Sequence, residues 1–269
     1  MKESTSNTVS AINYATPALP APANYKPMAA SAAEKRYKYL RRLFKFNQMD
    51  FEFAAWQMVY LFIAPQKVFQ NSNYRKYTKS QFARDDPAFL VLLSIWLVVS
   101  TICFGLVLDL EPIEIFLFVI FVVFVDFIGL GILFSTFLWY ASNKFLRRDS
   151  DGPDVEWAYA FDVHINAFFP PLALLHCFQI ILYSIGVLGN SGPFPLLISN
   201  SFWLASIFYY LYITFLGYSN LPILHNTKVF LLHLPLLFIT FLTTLAMGWN
   251  ISDTLIEFYR FRLIRSIRT

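Results

Sequence analysis

Between Ala88 and Ile251 the chain alternates five long apolar runs with short polar breaks. Each run can cross the roughly 30 Å hydrocarbon core of a bilayer as a helix of about 20 residues. The first is uncharged from Ala88 to Leu108. It follows Asp86-Pro87, an N-cap acid and a proline suited to the first helical position. The second runs from Pro112 to about Ser142, interrupted only by Glu114 and Asp126. The third covers Val163 to Gly189 and holds His164, His176 and Pro170-Pro171, a pair that predicts a kink. The fourth covers Phe194 to Gly217, and the fifth Val229 to Ile251, with His233 and Pro235. Trp139, Tyr140, Tyr209, Tyr210, Tyr212, Tyr218 and Trp249 sit near the ends of runs, as interfacial aromatic belts do. The pattern predicts an all-α polytopic membrane protein with five transmembrane helices and an N-terminal interfacial helical region.

Outside the spans the pattern changes character. Residues 1–33 are punctuated by Pro17, Pro20, Pro22 and Pro27 and have few bulky aliphatics, the composition of a disordered tail. Residues 34–87 form a basic, interfacial region. Within it, Tyr37, Leu40 and Phe44 fall at helical spacing among six basic residues, as in an amphipathic helix on an anionic bilayer face. Phe53 to Ala64 is apolar, but twelve residues make a helix of only about 18 Å. It is expected to lie in the interface and to end at Pro65. Residues 252–269 read as a short amphipathic tail, with Arg260, Arg262, Arg265 and Arg268 interleaved with Phe258, Phe261, Ile264 and Ile267.

Composition agrees with this reading. Charged residues make up 14% of the chain against about a quarter in a soluble domain, and hydrophobic residues make up 57%. The distribution of charge matters more than the net +4. Thirteen Lys and Arg precede the first span, and Lys144, Arg147, Arg148 and Lys228 fall in loops on the same side. The opposite side receives only the four arginines of the tail. Lys/Arg asymmetry therefore predicts a cytosolic N-terminus and a lumenal C-terminus. A sixth crossing at Phe53–Ala64 would place the tail beside the N-terminus, but that helix is too short to span.

Candidate chemistry is sparse. An ionised carboxylate within a span costs about 2.5–3.5 kcal/mol, so Asp126 calls for a partner or for water. Counted from one membrane face, Asp126 lies about 24 Å and His176 about 20 Å along their helices, so the two are expected to pair. Two readings stay open: a proton or cation relay, as in a transporter or lipid-handling protein, and polar attachment between helices brought close at Gly129 and Gly131. Asp162-Val163-His164 resembles a ligand pair only in part, and Cys103 and Cys177 both lie in apolar runs. No phosphate loop or nucleophile motif occurs, so no enzyme activity, catalytic residue, metal or cofactor is expected. Lys35, Arg36, Lys38, Arg41, Arg42, Lys45, Arg75, Lys76, Arg84, Asp85 and Asp86 form the candidate contact surface for a cytosolic partner or for lipid headgroups. Tyr74 to Lys79 interleaves aromatic and basic residues as RNA binders do, without an RNA-recognition fold signature.

The runs Phe46 to Phe62, Pro65 to Phe69, Tyr74-Arg75-Lys76, Ala83 to Phe89 and Glu156 to His164 resemble the uncoordinated-fifty family, also called uncoordinated-like (UNCL). The likeness covers residues 35–269. It implies a Golgi multispan protein of the early secretory pathway that supports delivery of receptors such as nicotinic acetylcholine receptors to the cell surface. It also implies a link to large Golgi guanine-nucleotide exchange factors for Arf GTPases. Some members are linked to the inner nuclear membrane and to RNA binding. The family supplies no catalytic residue to carry over.

Overall fold

Apolar runs with so few internal charges satisfy their backbone groups as helices, and the fold follows from stacking them. The structure is a computed structural model that describes residues 39, 41–70, 81–149, 152–188 and 192–268. Five helices are long and apolar enough to cross a membrane. A 13-residue helix, α1 (Phe51–Ile63), precedes them. The five are α2 (Ala88–Val107), α3 (Pro112–Leu146), α4 (Trp157–Ser184), α5 (Pro193–Ser219) and α6 (Thr227–Ala246). A last helix, α7, covers Ile251–Arg268. Among the described residues there is no strand, only an isolated bridge between Arg147 and Leu224. This is an all-α, multi-pass membrane protein. Five crossings put residues 41–70 and 81–86 and the described parts of the loops after α3 and α5 on one face, called here the N-face. The turns after α2, α4 and α6 lie on the opposite face.

The expected helix ends hold to within a few residues, with local chemistry at each. α2 begins at Ala88, where the Asp86 carboxylate accepts the Ala88 N–H at 3.0 Å. α3 opens on a capping box in which Glu114 accepts from the Glu111 N–H at 2.9 Å, with Pro112 at the first position. α4 starts at Trp157, earlier than the apolar pattern suggests, because its first two turns face the N-face layer rather than lipid. α6 ends sooner than expected: Gly248, at φ +66°, reverses the chain after Ala246. Pro65 does not end the helical course either. α1 breaks at Ala64 (φ −154°), and residues 65–70 are again helical, burying Val68 and Phe69.

α4 is the central element. Half of its most apolar window is buried, against 11% in α6. It packs chiefly on α5 and α3 through small residues. The Tyr159 hydroxyl donates to the Gly217 carbonyl at 2.7 Å. A Cβ at Gly217 would stand 2.8 Å from both γ-carbons of Val163. Gly131 in α3 lies against His164 in the same way, whereas Gly129 faces only the backbone of its own helix. Of the two glycines expected at a close approach, one makes it. α3 and α4 continue through π-helical stretches at Phe121–Gly129, Ser142–Leu146 and Leu174–Phe178. Two of these contain Asp126 and His176, and such insertions recur where helices carry functional or buried polar groups.

Candidate functional site

Two polar assemblies stand out against the apolar bundle. The first is on the N-face, where the segment joining α1 to α2 is bound onto the start of α4. The Glu156 carboxylate accepts from the backbone N–H of Phe82 and Ala83, each at 3.2 Å. Asp162, buried in α4, accepts the Arg84 N–H at 2.6 Å. The Arg84 guanidinium bonds to the Asn166 side chain and lies 4.3 Å from the centre of the Phe89 ring. Gln81 bonds to the Asp85 carboxylate, and Arg42 donates to the Asp85 carbonyl at 2.9 Å. One oxygen of Asp86 caps α2 while the other accepts the Asp50 N–H at 2.8 Å, and Asp50 itself caps α1 through the Phe53 N–H at 2.8 Å. Burial, with Asp162 and Asp86 nearby, pushes the Tyr39 hydroxyl well above its ordinary pKa despite the opposing Arg84 charge. It therefore stays protonated.

Arg84, Asp85 and Asp86, expected as a charged docking edge as well as a cap, are thus engaged inside the molecule. Arg41 and Lys45 are exposed, and Arg42 is half-buried. Lys35, Arg36, Lys38, Arg75 and Lys76 lie outside the described residues. Asp162 and His164, the incomplete ligand pair, point to separate partners: Asp162 to Arg84, and His164 Nδ1 to the Tyr210 hydroxyl at 2.8 Å. Among the described residues no group of three or more His, Cys, Asp or Glu could hold a metal ion. The remaining N-face loops are also fixed. Asn143 brackets Val155 with two bonds (3.0 and 2.8 Å), and Arg148 donates to the Leu224 carbonyl at 2.9 Å. Lys67, Lys144, Arg148 and Lys228 are exposed on this face.

The second assembly is inside the bundle. Asp126 does not pair with His176 as the depth argument expects. Its carboxylate accepts from the Tyr259 hydroxyl at 2.8 Å and pairs with Arg262 at 3.3 Å, both on α7. His176 Nδ1 instead lies 3.5 Å from the Ser100 hydroxyl, and its ring lies beside Phe104. Both residues do line one cavity, but Arg262, 136 positions away in the chain, claims the Asp126 carboxylate. α7 is accordingly no separate interfacial tail. Its Leu263 is buried, Arg260 donates to the Leu108 carbonyl at 3.2 Å, and Arg262 lies over the Phe121 ring at 4.0 Å.

A hydrogen-bonded cluster anchors the start of α7. Gln179 donates to Ser199 at 3.1 Å and bonds to Ser252. Ser199 donates to the Asn250 side chain at 2.8 Å, and Trp203 Nε1 to Ser252 at 2.8 Å. Asn200 bonds to Thr244 and to the Trp249 carbonyl (3.1 and 2.9 Å). α4, α5, α6 and α7 are thereby joined. Above this cluster α2, α3, α4, α5 and α7 enclose a cavity of about 490 Å³, onto which Asp126, His164, His176 and Tyr210 open.

A bundle of five lipid-exposed helices with a braced polar layer on one face and a docked C-terminal helix defines a multi-pass membrane protein. The chain belongs to the UNC-50 family, whose pattern matches residues 39–260. It is 53% identical over 245 residues to Protein unc-50 homolog of Drosophila melanogaster, covering 91% of this chain and 89% of that one. It is 54% identical over 234 residues to the Rattus norvegicus homolog and 53% identical over 234 to that of Homo sapiens, each covering 87% of this chain and 90% of the relative. No solved structure matches the chain.

Proposed function

We propose that the protein is a non-enzymatic trafficking factor of the Golgi membrane whose N-face holds an Arf guanine-nucleotide exchange factor. Through it, the protein supports cell-surface delivery of receptors such as nicotinic acetylcholine receptors. Family membership supports the pathway. The observation that carries the docking role is the N-face layer: Glu156, Asp162 and Asn166 hold the 81–86 segment and Asp86 ties it to Asp50, leaving Arg41, Lys45, Lys67, Lys144 and Arg148 exposed around it. A rigid layer bearing outward cations suits an acidic partner surface, because little ordering is needed on binding. The internal pairing of Asp126 with Arg262 weighs against a proton relay through that carboxylate.

The test is recruitment. In cells lacking the protein, re-expressed wild type restores the Arf exchange factor to Golgi membranes. Charge reversal at Lys45 and Lys67, and separately at Arg75 and Lys76, is expected to reduce the recruited fraction severalfold at normal expression. Recruitment unchanged by both pairs defeats the docking role.

A further inference from the structure

We propose that the cavity inside the helical bundle is a binding site for one uncharged lipid bearing a hydroxyl head, such as a sterol, a diacylglycerol or a ceramide. The site is walled mainly by membrane-spanning helices, with α7 across one end, so the bilayer is its nearest source of ligand. Its volume of about 490 Å³ falls within the roughly 300–1,000 Å³ typical of small-ligand sites. Leu97, Phe104, Leu130, Phe168, Leu172 and Ile207 give it mostly apolar walls.

Polar groups on those walls select the head. The Ser206 hydroxyl lines the cavity, is 1% exposed and has no hydrogen-bond partner among the described residues. A buried hydroxyl left unpaired is costly, and a ligand hydroxyl would relieve it. The Tyr210 hydroxyl lines the cavity too, held by His164. His164 Nε2 also lacks a partner, but it is sealed against Gly131, where a Cβ would stand 2.9 Å away, so it is no handle for a ligand.

Charge excludes the other lipid heads. No Lys or Arg lines the cavity, whereas Asp126 and Asp253 do. Burial and the neighbouring Glu257 raise the Asp253 pKa, which disfavours negative charge there. The Asp126 carboxylate is answered by Arg262, which does not line the cavity. A phosphate or a fatty-acid carboxylate would meet acidic walls with no cation to pair with. A neutral hydroxyl is the head that fits.

The experiment uses the full chain in phosphatidylcholine nanodiscs with photoreactive, clickable sterol, diacylglycerol, ceramide and phosphatidylcholine, followed by peptide mapping. At least one of the three neutral probes is expected to label cavity residues between Leu172 and Gln179 or between Trp203 and Tyr210, and unlabelled lipid should compete. Which of them labels identifies the source. Phosphatidylcholine should mark only outward residues such as Phe137 and Phe238. Leu175→Trp fills the cavity and should abolish this labelling, with Ile207→Trp as the alternative if the first variant does not fold. Ser206→Ala removes only the hydroxyl and should weaken competition about fivefold. The proposal is overturned by cavity labelling equal for phosphatidylcholine and the neutral probes, by no cavity labelling from any of the three, or by labelling that persists in a folded cavity-filled variant.

Discussion

At the level of single residues, glycine sets how near α4 and α5 can lie. Gly217 offers its carbonyl to Tyr159, and its missing side chain accommodates Val163, which is fully buried. Gly217→Ala gains helix propensity of up to about 1 kcal/mol. It also forces a Cβ to 2.8 Å from both Val163 γ-carbons and 3.1 Å from the Phe69 ring, where overpacking costs about 1–3 kcal/mol. The clash should win, because Val163 has no open space to move into. A lower thermal midpoint in detergent is expected for Gly217→Ala, with partial recovery in Gly217→Ala/Val163→Ala. Failure of the second substitution to recover stability would place the strain elsewhere. The sequence marks such positions poorly: Gly129 and Gly131 stand two apart in one apolar run, yet only Gly131 meets another helix. Which face of a helix turns inward depends on packing, and an almost uniformly apolar span carries little periodicity to reveal it.

Among the elements, α7 shows most clearly where sequence reading stops. Its amphipathic character is legible from alternating Arg and apolar residues, but its start is not, since the apolar run continues to Ile251 past the break after Ala246. Its destination is not legible. Asp126 and Arg262 lie 136 positions apart, and nothing local links them. One signal was available: four arginines on the side that the charge rule leaves poor. One of them, Arg262, is paired with Asp126 and so is not a free charge at a membrane surface, while the exposed Arg260 holds the Leu108 carbonyl at the end of α2. A carboxylate and a guanidinium brought together in this setting are mutually dependent. Arg262→Leu leaves the Asp126 charge unanswered, at a cost of about 3 kcal/mol. Arg262→Leu/Asp126→Asn removes both charges and should recover most of that loss, although Tyr259 still bonds at position 126. Tryptophan fluorescence melts of the two variants decide the matter: equal destabilisation would show that Arg262 does not hold the carboxylate.

For the whole molecule, the number and order of the spans were legible because composition alone separates lipid-facing helices from everything else. The N-face layer was not, since Glu156, Asp162 and Asn166 read as the polar edge of a span and only folding brings them to residues 81–86. Five crossings carry a prediction independent of those details: the two ends of the chain are expected on opposite sides of the membrane. Seventeen Lys and Arg gather on the N-face by sequence position, against four in the tail. With Arg262 paired to Asp126, the imbalance in free charge is larger still, and the charge rule predicts a cytosolic N-face. A glycosylation acceptor appended on a spacer after Thr269 should therefore be modified in the endoplasmic reticulum, while one placed before Lys2 should not. Modification at the N-terminal site alone would invert the bundle and put the cationic N-face out of reach of any cytosolic exchange factor. Modification at both sites would require an even number of crossings. That would mean α1 spans the bilayer, although at 13 residues it is about 20 Å long against a core of about 30 Å.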